Sequence, residues 1–246
     1  MILLAALLAA AAPGEFLPPE AMPDSKCTMA VGPERHACLA VNRQLTGRFA
    51  ESAKEFELGA GLVKPGDPAA DRMLAAAGNM WIAAGQPQKA ALALDKALAG
   101  TGLLAEQRGE ALLDRARAAE AQGDLRTARA KVNAAAETIS GDAFLWYFSA
   151  ALAIRENDPA TAKLAIGRAL TLEPNDPTVL FEAGHVYHFA GDEAKARDYW
   201  TRASAADPTG KSGDAARRAL AMMDVPLTVT NQVAQTPAEE DAQGKK

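Results

Sequence analysis

The sequence predicts an all-α fold, built as a stack of similar helical hairpins. Three observations predict it. The chain is 49% apolar but only 5% aromatic, and alanine supplies much of the apolar share. Alanine is the best helix former and lets helices cross at short distance. Alternating Val/Ile/Thr runs of strand length are absent; Leu227–Thr230 comes nearest, but it is short and follows Pro226. Finally, the chain repeats. At a step of 34 residues, Ala128, Ala162 and Ala196 coincide, as do Ala135, Ala169 and Ala203, with Val132, Ile166 and Trp200 between them.

Taken in order, Ile2–Ala12 is an apolar run of signal-peptide length that ends in small residues, ahead of the Pro-rich segment Pro13–Pro23. Residues 1–12 are therefore read as an export signal. Cleavage after Ala11 fits better than cleavage after Ala12, which would leave Pro13 first. The n-region has no Lys or Arg, so the amino terminus alone supplies its positive charge. Residues 13–32 form a lead-in that carries Cys27. Cys27 and Cys38 are the only cysteines, too few to complete a zinc site by themselves. In an oxidising compartment they would pair and close a small loop, worth about 3 kcal/mol in the chain-entropy model. The alternative is two buried thiols. Asp24-Ser25-Lys26 ahead of Cys27 does not look like a lipoprotein acylation box.

Five units follow, at 33–66, 71–104, 109–142, 143–176 and 177–210. Each reads as helix, tight turn, helix and a loop punctuated by proline. The turns are marked by Gly123-Asp124, Asn157-Asp158 and Gly191-Asp192, and the helix stops by Pro174 and Pro208. Small residues Ala116, Ala150 and Gly184 precede the turns, where two helices must touch. A slightly longer step reaches Gly78, Trp81, Gly85, Ala90, Leu94 and Ala97, and another reaches the fainter Ala40, Gly47, Ser52, Phe56 and Gly59. Residues 211–225 read as a capping helix, with Ala215, Ala216, Ala219 and Leu220 inward and Arg217 and Arg218 outward. Residues 226–246 turn polar, end TPAEEDAQGKK, and are expected to be disordered.

The last unit, Leu180-x-x-Ala183-Gly184-x-x-Tyr187 followed by Ala196-x-x-x-Trp200, Ala203 and Pro208, resembles a tetratricopeptide repeat. The preceding unit, with Trp146, Ala162, Ile166, Ala169 and Pro174, resembles it nearly as well. The resemblance covers about residues 33–210, and it implies a right-handed α-solenoid whose first helices line a concave groove. It also implies a protein-interaction module. The family binds many unrelated partners, so no partner is named by it.

Other functions find little support. A net charge of −5 without a basic stripe argues against nucleic acid, and no run is long enough to span a membrane. The segment ADPTGKS ends like a phosphate-binding loop, but Ala205 stands where its first glycine belongs and no strand precedes it. No G-x-S-x-G elbow is present. The expectation is a non-enzymatic protein without a cofactor.

The stretch HVYH (185–188) places two of the three histidines one helical turn apart. At about 100° per residue, Leu180, Ala183, Gly184 and Tyr187 share one arc. Phe181, His185, His188 and Phe189 share another, roughly opposite, which the resemblance assigns to the groove. Glu182 falls off that arc. Burial against the partner helix does not explain aromatic rings there. One unit back the matching positions include Phe144, Tyr147, Ala151, Ile154 and Arg155; two back they include Glu110, Leu113, Arg117 and Glu120. The paired Lys and Asn of the carboxylate-clamp pattern, which binds acidic chaperone tails, are missing.

Three roles fit the histidines: contact with a bound peptide, structural packing within the stack, or metal ligation. The expected binding residues are Phe144, Tyr147, Arg155, Phe181, His185, His188 and Phe189, with no metal or catalytic site and a disulfide at Cys27–Cys38. The chain is thus expected to be a periplasmic scaffold for a protein or peptide partner. The alternatives are a metal-binding protein or enzyme using His185 and His188, or a self-associating structural protein.

Overall fold

The computed structural model describes Cys27 and residues 29–224. The export signal expected at 1–12 and the tail at 226–246 lie outside the described residues, as does most of the lead-in. Eleven helices and no strand make up the described part. They are α1 (Gly32–Leu45), α2 (Phe49–Leu62), α3 (Ala69–Ala83), α4 (Pro87–Ala99), α5 (Ala105–Ala121) and α6 (Leu125–Ala136). Then come α7 (Ala143–Arg155), α8 (Pro159–Leu172), α9 (Pro177–Phe189), α10 (Glu193–Ala206) and α11 (Lys211–Met223). Odd and even helices pair into five hairpins, with α11 left over. Each helix packs chiefly on helices one or two places away in the chain, the signature of a solenoid.

The hairpin turns follow from one backbone requirement. Gly47, Gly85, Gly123 and Gly191 follow the first helices with φ between 68° and 80°, and Asn157 takes the same place at φ 59°. A helix ending this way needs a left-handed residue, which glycine adopts freely and asparagine tolerates. The following aspartate then caps the second helix. Asp124 accepts from the Thr127 N–H, Asp158 from those of Ala160 and Thr161, and Asp192 from that of Lys195. Such a cap is worth about 1 kcal/mol. In the first two hairpins Arg48 and Gln86 stand there without a side-chain cap. This is one reason the repeat is fainter at that end.

Within each hairpin a small residue on the first helix faces a large one on the second. The pairs are Ala40 and Phe56, Gly78 and Leu94, Ala116 and Val132, Ala150 and Ile166, and Gly184 and Trp200, and the described large partners are all buried. Size compensates for size. A Cβ on Gly78 would overlap the Leu94 side chain, and one on Gly184 would overlap the Trp200 indole. The third and fourth hairpins, with alanine at this place, hold the β-branched Val132 and Ile166 instead. The interior is close-packed, so such complementarity sets how near the helices lie.

The two ends are closed differently. Cys27 and Cys38 form a disulfide with their Cα atoms 5.6 Å apart, pinning the fully buried Cys27 to α1. At the other end α11 takes the place of a sixth first helix. Thr178 and Ser212, 34 residues apart, bond through their hydroxyls at 3.1 Å. Ala216 is buried there, while Arg217 and Arg218 are exposed and paired with Asp214.

Candidate binding groove

The first helices α3, α5, α7 and α9 carry the positions that the sequence assigns to the groove. Its middle is closed by its own ion pairs. Asp114 on α5 accepts from Asn79 Nδ2 of α3 at 2.7 Å and from Arg117 Nη1 at 2.8 Å. Arg155, at the end of α7, is paired with Glu120 of α5. Glu110 has no such compensation; burial, then the charge of Glu106, raises its pKa.

Toward the C-terminal end the groove becomes aromatic. On α7 the Phe144 ring meets Tyr147 edge-on at 5.0 Å and lies 6.2 Å from Phe148. Arg117 sits 5.3 Å from the Phe144 centroid, a cation–π distance. These three rings are only part-buried. Tyr147 has its hydroxyl pKa pushed up to about 12, first by burial and then by the charge of Glu182 on α9.

Glu182 is the residue that the helical arc analysis set aside. One helix projected alone puts it off the groove face, but the neighbouring helix α7 brings Tyr147 near enough to feel its charge. Burial by itself pushes the Glu182 carboxyl up to about 7. The side chain has neither hydrogen bond nor ion pair among the described residues.

The histidines differ from expectation in one respect: the partner helix does reach them. Because residue 184 is glycine, the Trp200 indole of α10 lies directly over α9, and its Nε1 donates to the Phe181 carbonyl at 3.1 Å. The indole extends to the groove side. His185 stands edge-on to Trp200 at 5.4 Å and to Phe181 at 4.5 Å, and His188 lies 5.6 Å from Trp200. Burial, with His188 nearby, lowers the His185 pKa, so this ring is neutral at pH 7. His188 is exposed and its Nδ1 is 2.9 Å from Glu193 Oε2. Phe189 is part-buried at the helix end. Thus Phe144 and Tyr147 form one cluster, Phe181, His185 and His188 another around Trp200, and Glu182 on α9 acts by its charge on Tyr147 of α7. Sequence reasoning missed Glu182 and Phe148. Phe148 stands at the same register as Glu182, one hairpin earlier, which was the available signal.

Among the described residues no group of three or more His, Cys, Asp or Glu side chains is placed to hold a metal ion. A shallow depression between the third and fourth hairpins is lined by Arg129, Asn133, Glu156, Asp158 and Thr161. Its Arg129 is committed to Glu156 and to Ser149, and so ties the two hairpins together.

A stack of helical hairpins with these turns and this small-to-large pairing has the fold of tetratricopeptide-repeat solenoids. Known structures share it. The chain is similar to PilF of Pseudomonas aeruginosa, with 13% identity, TM-score 0.61, and 76% of this chain and 82% of that one covered. It is similar to MamA from Desulfovibrio magneticus RS-1, with 16% identity, TM-score 0.59, and 74% and 99% covered. It is also similar to YrrB, described as a tetratricopeptide protein with an unusual peptide-binding site, with 14% identity, TM-score 0.55, and 80% and 99% covered. No family model matches the sequence, and no curated protein does. At these identities the likeness establishes the fold. Among the described residues no helix is long and apolar enough to cross a membrane.

Proposed function

We propose that this protein is a non-enzymatic interaction scaffold of the tetratricopeptide type. It binds an extended or helical segment of a partner protein along the C-terminal half of its groove. The segment would contact Phe144, Tyr147, Phe181, His185, His188 and Phe189, with Arg155 at the rim. One observation carries this reading. Phe144, Tyr147 and Phe148 on α7, and Phe181 on α9, pack against the edges of the buried clusters and stay part-exposed across two adjacent hairpins. Part-exposed aromatic groups with polar neighbours are the usual anchors of recognition surfaces. The peptide-binding site named for YrrB, a structure of the same fold, agrees with it.

The setting we infer is the periplasm or cell envelope, on the apolar run at 2–12 and the disulfide, which suits an oxidising compartment. A photoreactive phenylalanine analogue at Tyr147 should give partner adducts in cells. The same analogue at Leu164 on α8, which is 63% exposed, should give none. Adducts at Leu164 alone would move the binding face to the second helices. An alkaline phosphatase fusion after residue 23 should be active if 1–12 direct export; an inactive fusion removes the periplasmic setting.

A further inference from the structure

The groove contains the same carboxylate position twice, once satisfied and once not. Asp114 stands two residues before Ala116 on α5, and Glu182 two residues before Gly184 on α9. Ala116 and Gly184 are the small residues at which each first helix meets its second, so the two carboxylates occupy equivalent places. Asp114, 8% exposed at the side chain, receives Asn79 from the preceding hairpin and Arg117 from the next turn of its own helix. The residues in register with those two donors around Glu182 are Ala151 and His185. Alanine has nothing to donate. His185 is a neutral ring set edge-on between Phe181 and Trp200.

A part-buried carboxylate without donors is costly, because desolvation is not repaid by hydrogen bonds. The middle hairpin shows what would repay it: one guanidinium N–H at 2.8 Å and one amide at 2.7 Å. Nearby cations cannot serve, since Arg117 is held by Asp114 and Arg155 by Glu120. The other charges acting on Tyr147 from this end are Asp142 and Asp176, the caps of α7 and α9. The charges nearest the rings at this end of the groove are thus mainly negative; the two caps are satisfied by backbone N–H groups, and Glu182 is left without a partner beside part-exposed rings.

We propose that this end of the groove receives a lysine or arginine side chain of a partner segment. Its head group would sit beside Glu182, where Asn79 and Arg117 sit beside Asp114, and its aliphatic stem would lie along Tyr147. The assignment rests on the groove reading above and adds the chemistry of what enters it. Aromatic faces beside a carboxylate suit such a side chain, because the stem packs on the ring while the charge pairs.

The test is selection of a random dodecapeptide phage library on the full-length protein at pH 8, with Glu182→Gln and Tyr147→Leu in parallel. Glu182→Gln is isosteric and Tyr147→Leu keeps an apolar side chain, and melting curves verify that each variant folds. Peptides selected on the wild type should be enriched in Lys and Arg over the starting library. Glu182→Gln should abolish that enrichment while keeping the aromatic and apolar preferences. Synthetic versions of the selected peptides should bind Glu182→Gln on the order of 10-fold more weakly, as loss of one charge-assisted pair implies.

Peptides that need Tyr147 but show no basic enrichment, or that bind Glu182→Gln unchanged, would overturn the assignment and leave the groove reading in place. Peptides indifferent to both variants, or no selected peptides at all, would count against both. A protein ending at residue 224 should select the same peptides. Basic enrichment that emerges only after this truncation would make the chain's own tail the occupant and overturn assignment to a partner.

Discussion

The third and fifth hairpins turn the same face to the same groove, yet one is electrostatically complete and the other is not. In the third, Asp114 accepts from Asn79 of the second hairpin and from its own Arg117, and Glu120 holds Arg155 of the fourth. In the fifth, Glu182 is part-buried with no donor, and two imidazoles lean on Trp200. The difference teaches that the fold constrains the back of each first helix and leaves its front free. Both hairpins fill the crossing point correctly, by Ala116 against Val132 and by Gly184 against Trp200. Groove positions a residue away diverge completely.

The comparison can be broken most severely at the crossing point. Trp200→Ala should cost about 3–5 kcal/mol, because it empties the largest site in the C-terminal core. It should also release His185 and His188. Val132→Ala, at the same place in the third hairpin, should cost about 2 kcal/mol. Hydrogen exchange over 177–223 and over 105–136 separates the two local effects. Equal loosening of both segments would mean that the hairpins are not independent units.

The two carboxylates should then respond with opposite signs. Glu182→Gln should stabilise the protein at pH 8 by about 2–3 kcal/mol and do nothing at pH 4. The folded-state pKa of Glu182, about 7, lies above its ordinary 4.5. The folded protein thus holds this proton more tightly, and the stability it confers is present below about 4.5 and lost as pH rises through 7. Denaturant titrations of wild type and variant across that range should diverge upward in pH; parallel curves refute the burial argument. Asp114→Asn should instead destabilise by about 2 kcal/mol at neutral pH, because it strips Arg117 of its buried counter-charge.

The smallest expected effect is the most specific. Ala151→Asn with His185→Arg transplants the donors of Asp114 to Glu182. It should raise stability by about 1 kcal/mol and lower the Glu182 pKa, read by NMR titration. A Glu182 pKa left unchanged would show that the two registers are not equivalent.

Much of the fold was legible because its rules are local. A left-handed Gly or Asn, then a capping Asp, writes each hairpin turn into adjacent letters, and Arg48 and Gln86 in place of that Asp leave the first two turns fainter. The Cys27–Cys38 pair was legible because no other cysteine competes. The environment of Glu182 was not. Periodicity places a side chain around its own helix and is silent about which helix stands opposite. Only the packing of α7 on α9 shows that Tyr147 comes near enough to feel its charge. The Trp200 contact with the histidines was hidden for a related reason: glycine at 184 lets an indole cross to a face that a projection of α9 alone counts as open.

The near-neighbour packing of the helices has a mechanical consequence. Among the described residues no principal contact joins hairpins far apart in the chain, so a pull along the stack meets no distant seam between them that must give way first. The stack should yield link by link. Each hairpin of roughly 34 residues would pay out on the order of 110 Å of extended chain. Tension applied through a bound partner would then be met as a series of yielding steps.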